Sequence, residues 1–145
     1  MVSFSAFILP RLDYCNSLLA NVTEGSLNKL QVLQNNTARL VCRKPKREHV
    51  TPLLVELHWL PVRARVEYKV AILCFKARNG YAPLYVHDLL TSYTPQRHLR
   101  SSSQNDLDVP TTKLKTGGDR AFTSTGPFVW NALPEYIKHI TDIDF

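Results

Sequence analysis

The sequence predicts a mainly α-helical fold: a small domain of five to six helices, with an irregular segment around residues 107–122 in which a two-stranded β pairing is an open alternative. Three observations predict this class. Apolar residues recur at helical spacing through most of the first 90 residues, proline and glycine bracket the helical runs, and this periodicity is lost between about residues 91 and 119. A chain of 145 residues is long enough for one domain with a modest core.

Two helices are predicted before residue 43. The first covers residues 10–20, and the second follows a connection that ends at Ser26, a plausible N-cap. The residues of the first helix expected to face the core are Leu12, Cys15, Leu18 and Leu19. On a wheel of 100° per residue, the second helix has one apolar side, formed by Leu27, Leu30, Leu33, Thr37, Ala38, Leu40 and Val41. It is therefore predicted to be amphipathic with a single buried face.

The stretch "RKPKREH" at residues 43–49 has four basic residues in seven and a proline that breaks helices. It is predicted to be an exposed loop, with a nuclear-localisation role and a phosphate-contacting role as alternatives. "TPLLVELHWL" at residues 51–60 predicts a short helix with Thr51 as cap and Pro52 at the first helical position. Pro61 ends that helix and begins a long one over about 61–79, which Gly80 ends.

The long helix has apolar residues on two sides. One face is formed by Val62, Val66, Val70, Leu73, Cys74 and Ala77, and the other by Ala64, Tyr68, Ala71, Ile72 and Phe75. A helix that is apolar on two sides packs between neighbours, so we expect it to be the central helix of the domain. Replacing a buried Leu73 by Ala is expected to cost about 2–5 kcal/mol.

Between these faces, Arg65, Lys69 and Lys76 recur at i, i+4 and i+11 and form a strip that contains no acidic residue. Like charges four residues apart on a helix are mildly unfavourable. The strip therefore suggests an external anion, and phosphates spaced along a nucleic-acid backbone suit it. The alternative is a plain solvent-facing gap between two packed faces.

The C-terminal part is predicted to differ in character. Residues 1–90 form the helical domain, residues 91–120 a polar irregular segment, and residues 121–145 a short helical segment that packs back on the domain. Within that last segment, Pro127 is expected to open a short helix and Pro134 to close it.

The net charge of +6 is concentrated in one tract. Residues 39–78 carry ten Lys or Arg and three acidic residues, a net +7, while the rest of the chain sums to −1. Such a tract favours a polyanionic partner, with a solvated surface as the alternative. Trp59 and Trp130 stand among apolar neighbours, which favours core packing over base stacking.

Composition excludes several classes of protein. No apolar run reaches the roughly 18 residues of a membrane span, and no basic region precedes the apolar N-terminal stretch as in a signal peptide. The three cysteines and five histidines are scattered without metal-ligand spacing, so we predict reduced thiols, no metal site and no cofactor. The expected location is intracellular, nuclear or cytoplasmic, and not secreted.

Six strings in this chain resemble one protein family, and together they cover nearly the whole sequence. They are "RLDYCNSLLA" (11–20), "LNKLQVLQNNTARLV" (27–41), "REHVTPLLVELHWLPVRARVEYKVAILCFKARNGYAPLYVHDLL" (47–90), "LRSS" (99–102), "VPTTKLKTGGDRAF" (109–122) and "FVWNALPEYI" (128–137). The combination resembles the C-terminal, thumb-like region after the palm of non-LTR (LINE-type, jockey and chicken-repeat-like) retrotransposon reverse transcriptases.

The resemblance implies RNA or an RNA/DNA primer–template as partner, and the reverse transcriptase palm as an intramolecular partner in the parent protein. It does not imply catalysis by this chain. Polymerase chemistry needs carboxylates that hold two Mg²⁺ ions roughly 4 Å apart, and the sequence contains no Asp-Asp pair. Relatives carry a palm before this region and a further helical, basic stretch after it, so we expect an excised or decayed fragment of an RNA-directed DNA polymerase.

Three hypotheses follow. The first is a nucleic-acid-binding, non-catalytic fragment, the second a helical protein-interaction module without nucleic-acid binding, and the third a stand-alone enzyme, which no motif supports. The predicted nucleic-acid contacts are the basic residues Arg39, Arg43, Lys44, Lys46, Arg47, Arg65, Lys69 and Lys76. No catalytic residue and no metal ligand are predicted.

Overall fold

The structure is a computed structural model, and it describes residues 2–95, 105–112 and 117–140. Within those ranges it contains seven α-helices: α1 (Val2–Asp13), α2 (Glu24–Val41), α3 (Val50–Glu56), α4 (Val62–Arg78), α5 (Leu84–His87), α6 (Phe122–Asn131) and α7 (Glu135–Lys138). A short 3₁₀-helix, Asn16–Leu19, lies between α1 and α2. The predicted mainly helical class is confirmed.

The alternative of a β pairing around residues 107–122 is not seen. In the described residues of that stretch, the nearest feature is one antiparallel bridge between Ser92 and Leu107. Residues 113–116 of that stretch lie outside the described residues, as do 96–104 of the predicted irregular segment and 141–145 of the predicted C-terminal helical segment.

The chain divides into two compact units, residues 1–68 and residues 69–145, with the division inside α4. In the first unit, the core is formed by Ala38, Leu53, Leu54 and Trp59. Trp59 is buried there, as its apolar neighbours predicted. In the second unit, the buried apolar residues among those described include Val70, Cys74, Phe75, Ala77, Leu107 and Trp130.

The first helix differs from its prediction. It begins far earlier than residue 10 and ends at Asp13, after which Cys15 adopts a positive φ of 51° and a 3₁₀ turn follows. Since this break rotates the chain, Cys15 and Leu18 are exposed, whereas Asn16 and Ala20 are buried.

The buried side of α2 is rotated relative to the predicted one. The helix begins at Glu24 with Thr23 as its N-cap, so Ser26 lies inside the first turn. Its buried residues are Leu27, Gln34, Thr37 and Ala38, and the predicted core residues Leu33 and Leu40 are exposed. The helical wheel assigned these leucines to the core and missed Gln34. Gln34 is fully buried, and hydrogen bonds to its amide group make that burial possible.

The long helix predicted over 61–79 is α4, but its two faces are unequal. The first face is buried as expected at Val62, Val66, Val70, Cys74 and Ala77, while Leu73 is only half-buried. The expected cost of replacing Leu73 is lowered accordingly, because less apolar surface is removed from water there. On the second face Phe75 is buried and Tyr68 is exposed.

In the second unit, α6 packs closely on the C-terminal half of α4. A Cβ built on Gly126 would lie 3.1 Å from the Cys74 Sγ, so only glycine allows this approach without a shift. The Trp130 indole is buried, donates to the Asn105 carbonyl at 3.0 Å and lies 5.1 Å below the Arg78 guanidinium. Pro127, predicted to open a helix, lies inside α6 and is buried.

Three helices end with the hydrogen-bond pattern of a Schellman motif. After α4, Gly80 has a φ of 76° and the Tyr81 N–H donates to the Lys76 carbonyl. After α3, His58 holds the same position with a φ of 54°, and the Trp59 N–H donates to the Leu54 carbonyl. The third motif follows α2 and belongs to the basic loop described next.

Candidate nucleic-acid interface

The basic loop, residues 43–47, connects α2 to α3 in the first unit. Its four charged side chains, on Arg43, Lys44, Lys46 and Arg47, are all exposed. Within the part of the chain that the structure describes, none of the four side chains has a hydrogen bond or an ion pair. Four cations within five residues repel each other, and an external anion offsets that repulsion.

The loop leaves α2 in a defined direction. Arg43 adopts a left-handed φ of 53°, its N–H donates to the Leu40 carbonyl, and the Lys44 N–H donates to the Arg39 carbonyl at 2.8 Å. These are the two hydrogen bonds of a Schellman motif with Arg43 where glycine is usual. A second turn closes through the Glu48 N–H and the Pro45 carbonyl. The loop backbone is thus tied to the helix end while its side chains face solvent.

Arg39, one turn before the loop, has part of its guanidinium in use. Its Nε donates to the Glu48 carbonyl at 3.1 Å, and its Nη1 lies 3.5 Å from the Asn36 Oδ1. Both partners are neutral groups, so the positive charge of Arg39 is not cancelled by them. Arg39 therefore adds positive charge next to the loop, and its hydrogen bond to the Glu48 carbonyl holds the C-terminal end of the loop.

Arg65, the first residue of the predicted α4 strip, is paired within the first unit. Its Nη1 donates to both carboxylate oxygens of Asp13 at 2.7 Å, and its side chain is 15% exposed. The expectation that no acid neutralises the strip is wrong here, because the acid comes from α1 and not from the helix that carries the strip. Arg65 is therefore less available to a phosphate than the exposed residues of the basic loop.

The other two strip residues belong to the second unit. Lys69 is exposed, and Lys76 is half-buried and already engaged with another group. The three residues therefore differ in accessibility and do not form a uniform row of free cations. Of the predicted contacts, those that form one group of exposed cations are the four residues of the basic loop.

A polar network that the sequence reading missed holds the connection before α4. The Gln31 Oε1 accepts from the Val62 N–H at 2.8 Å, which caps the first turn of α4. The Gln31 Nε2 donates to Gln34 and Asn35, and the Gln34 Nε2 donates to the Leu60 carbonyl at 2.9 Å. The available signal was the 3–4 spacing of residues 27, 30, 34, 37 and 41, which places Gln34 on the core side of α2.

Other chemistry in the described residues does not suit a phosphate. A cavity of about 370 Å³ in the second unit is lined in part by Asp88 and Asp108, whose charge repels anions. Cys74 is buried, and burial raises the pKa of its thiol to about 12, so it stays protonated at neutral pH. Among the described residues, no group of three or more His, Cys, Asp or Glu is placed to hold a metal ion.

Comparisons with known proteins identify no relative of this chain. No protein-family model, no curated protein and no solved structure matches the chain. In the described residues, no helix is both long and apolar enough to cross a membrane.

Proposed function

We propose that this chain is a non-catalytic nucleic-acid-binding segment that contacts the phosphate backbone of RNA, or of an RNA/DNA primer–template, through the basic loop. The single observation that carries the proposal is the group of four exposed cations at residues 43–47, none of which is paired with another residue that the structure describes. The resemblance to the region after the palm of LINE-type reverse transcriptases supports the same partner.

Charge in the first unit supports this choice of surface. Residues 1–68 carry nine basic and five acidic residues, a net +4. Two of the basic residues, Arg63 and Arg65, are paired to Glu24 and Asp13. The unpaired positive charge is therefore densest at the basic loop, where phosphates would displace counterions and gain affinity.

The composition of the loop favours phosphate over a protein surface. Apart from Pro45, its residues offer charge and no apolar anchor, whereas protein interfaces depend on buried aromatic and aliphatic side chains. Contacts of this kind position a backbone and read no bases. We therefore expect binding that depends weakly on sequence.

The same proposal places the chain inside the cell, in the nucleus or the cytoplasm, where its polyanionic partner is found. In a parent reverse transcriptase, the palm would supply the carboxylates for polymerisation and this segment would hold the template. Arg39 would act with the loop, and Arg65 would contribute only where phosphate displaces Asp13. In the second unit, Lys69 would add a contact of its own, and Lys76 would do so only where phosphate replaces its present partner.

The test compares two variants that lose the same charge. In the loop variant Lys44, Lys46 and Arg47 are changed to Gln, and in the control variant Arg11, Lys29 and Arg120, all exposed, are changed to Gln. Fluorescence anisotropy with a 30-nucleotide RNA in 50 mM salt should show binding weakened on the order of tenfold in the loop variant, from the loss of three phosphate contacts. The control variant should bind much more like the unmodified chain.

Equal losses in the two variants would show that only net charge matters and would refute the loop as the site. No RNA binding by the unmodified chain would refute nucleic-acid binding and leave the alternative function, a helical protein-interaction module.

A further inference from the structure

Helix α2 has a second stripe of residues, separate from its buried side. Lys29, Leu33, Asn36 and Leu40 recur at i, i+4, i+7 and i+11, the spacing of a coiled-coil seam. At 100° per residue they fall within about 60° of each other and about 130° from the centre of the buried residues of α2. We call these four residues the outer seam.

The outer seam is exposed although half of it is apolar. Leu33 is 48% exposed and Leu40 is 59% exposed, and the adjacent Val32 is 57% exposed. The two leucines lie two turns apart, about 10.5 Å along the helix. Single exposed leucines are ordinary, but two spaced seven residues apart on one helix match two of the anchor positions on which a partner helix packs.

The charge at the ends of the seam selects the partner. Lys29 is exposed at one end, and Arg43 is exposed just beyond the other end. Neither has an ion pair with any residue that the structure describes. The only acidic residue of α2, Glu24, is paired to Arg63.

These charges argue against a second copy of the chain as the occupant. A parallel pair of outer seams would place Lys29 against Lys29, and an antiparallel pair would place Lys29 near Arg43. Like charges facing each other across a helix pair are unfavourable in both arrangements. A nucleic-acid backbone would use the charges but would leave Leu33 and Leu40 in water.

We propose that the outer seam docks an amphipathic helix of another protein whose flanking residues are acidic. Apolar side chains of that helix would pack on Leu33 and Leu40, a polar side chain would meet Asn36, and carboxylates would face Lys29 and Arg43. The apolar pair supplies affinity, and the charges set the partner's sign and orientation. This surface shares Arg43 with the basic loop, whereas Lys29, Leu33 and Leu40 lie outside the loop, so peptide binding can be measured without nucleic acid.

The probe is a fluorescent 21-residue helical peptide with Leu at its seam positions and Glu at the flanking positions, with a matched peptide that carries Lys in place of Glu. The variants are Leu33→Gln with Leu40→Gln, and a control, Val55→Gln with Leu84→Gln, at two other exposed apolar positions. Glutamine keeps helix propensity close to that of leucine, so both variants should fold, which circular dichroism checks.

The unmodified chain should bind the Glu peptide and not the Lys peptide. Binding should weaken about tenfold or more in the Leu33/Leu40 variant, from the lost apolar burial, and stay unchanged in the control. Changing Lys29 and Arg43 to Glu should reverse the preference between the two peptides.

Three results would overturn the proposal. The first is no binding of the Glu peptide, or binding that the Leu33/Leu40 variant retains. The second is a dimer of the unmodified chain in sedimentation that this variant abolishes, which would make a second copy the occupant. The third is weaker RNA binding by this variant with peptide binding unchanged, which would assign the seam to the nucleic-acid interface.

Discussion

At the scale of single residues, Arg43 and His58 occupy the left-handed position that ends a helix, with φ values of 53° and 54°, whereas Gly80 occupies the same position after α4. A side chain in this conformation costs on the order of 1–2 kcal/mol, a cost that glycine avoids. The end of α4 at Gly80 was predicted from the sequence, because glycine is the usual residue at the left-handed position after a helix. The left-handed backbone at Arg43 and His58 was not predicted, because arginine has no preference for it and histidine, although enriched in it, adopts it at few of its positions.

This difference gives a stability prediction. Changing Arg43 to Gly should raise the free energy of unfolding by about 0.5–1 kcal/mol, because relief of the backbone strain exceeds the added entropy of the unfolded chain. Changing Gly80 to Ala should lower it by about 1 kcal/mol for the opposite reason. Urea unfolding of both variants measures the two changes. Destabilisation by Arg43→Gly would mean that the arginine side chain contributes more to folding than its exposed position indicates.

Cys74 gives a prediction on pH. Burial raises the pKa of its thiol to about 12, with the nearby Arg78 charge acting weakly in the opposite direction. The folded thiol therefore stays protonated while the unfolded thiol ionises, near pH 8.5–9 as for ordinary cysteines. Stability is fully present below about pH 9 and is lost as the pH rises towards 12.

The corresponding measurement is urea unfolding at pH 8 and pH 10.5. The unmodified chain should lose about 2 kcal/mol more than Cys74→Ala between these pH values, at 1.36 kcal/mol for each pKa unit. Cys74→Ala removes the titrating group and leaves Cys15 and Cys42 in place, so the comparison isolates one thiol. Equal pH dependence of the two proteins would contradict a buried, protonated Cys74.

At the scale of helices, α2 shows why a pattern of apolar residues was insufficient. Leu27, Thr37 and Ala38 are buried as predicted, yet Leu33 and Leu40 are exposed and the buried side includes Gln34. A hydrophobic count cannot foresee a glutamine whose amide finds a backbone carbonyl 26 positions later in the chain, at Leu60. The existence of α2 was predicted from local spacing, whereas the burial of Gln34 depends on a long-range hydrogen bond.

Replacing Gln34 tests this account of α2. Gln34→Ala should lower the free energy of unfolding by about 2–4 kcal/mol, because it leaves the Leu60 carbonyl unpaired and opens a small cavity. Asn28→Ala, at an exposed position of the same helix, should change it by less than about 0.5 kcal/mol. Thermal unfolding followed by circular dichroism compares the two. Similar effects at both positions would show that Gln34 is not a core residue.

The candidate site follows the same division between local and long-range effects. The basic loop was predictable from local sequence, because charged side chains remain in contact with water and Pro45 interrupts a helix. The pairing of Arg65 with Asp13 was not, because the two residues are 52 positions apart and nothing local joins α1 to α4. The predicted strip of basic residues is present on α4, but the prediction that its charges are unpaired is wrong at Arg65.

At the scale of the whole molecule, only the exposed and unpaired part of the net charge of +6 is available to attract an anionic partner. Ion pairs remove Arg63 and Arg65 from the charge available to a partner, and Lys138 is buried against Asp106. The four cations of the basic loop are paired with none of the residues that the structure describes. The central claim is therefore that phosphates bind to residues 43–47 and not to the positive surface in general.

The salt dependence of RNA binding tests that claim most directly. Plots of log affinity against log salt concentration give the number of phosphates neutralised, with a slope of about −0.7 for each contact on a single strand. The variant with Lys44, Lys46 and Arg47 changed to Gln should have a slope shallower by about 2, and the variant with Arg11, Lys29 and Arg120 changed to Gln should keep the original slope. An unchanged slope in the loop variant, or the same reduction in both variants, would contradict the account.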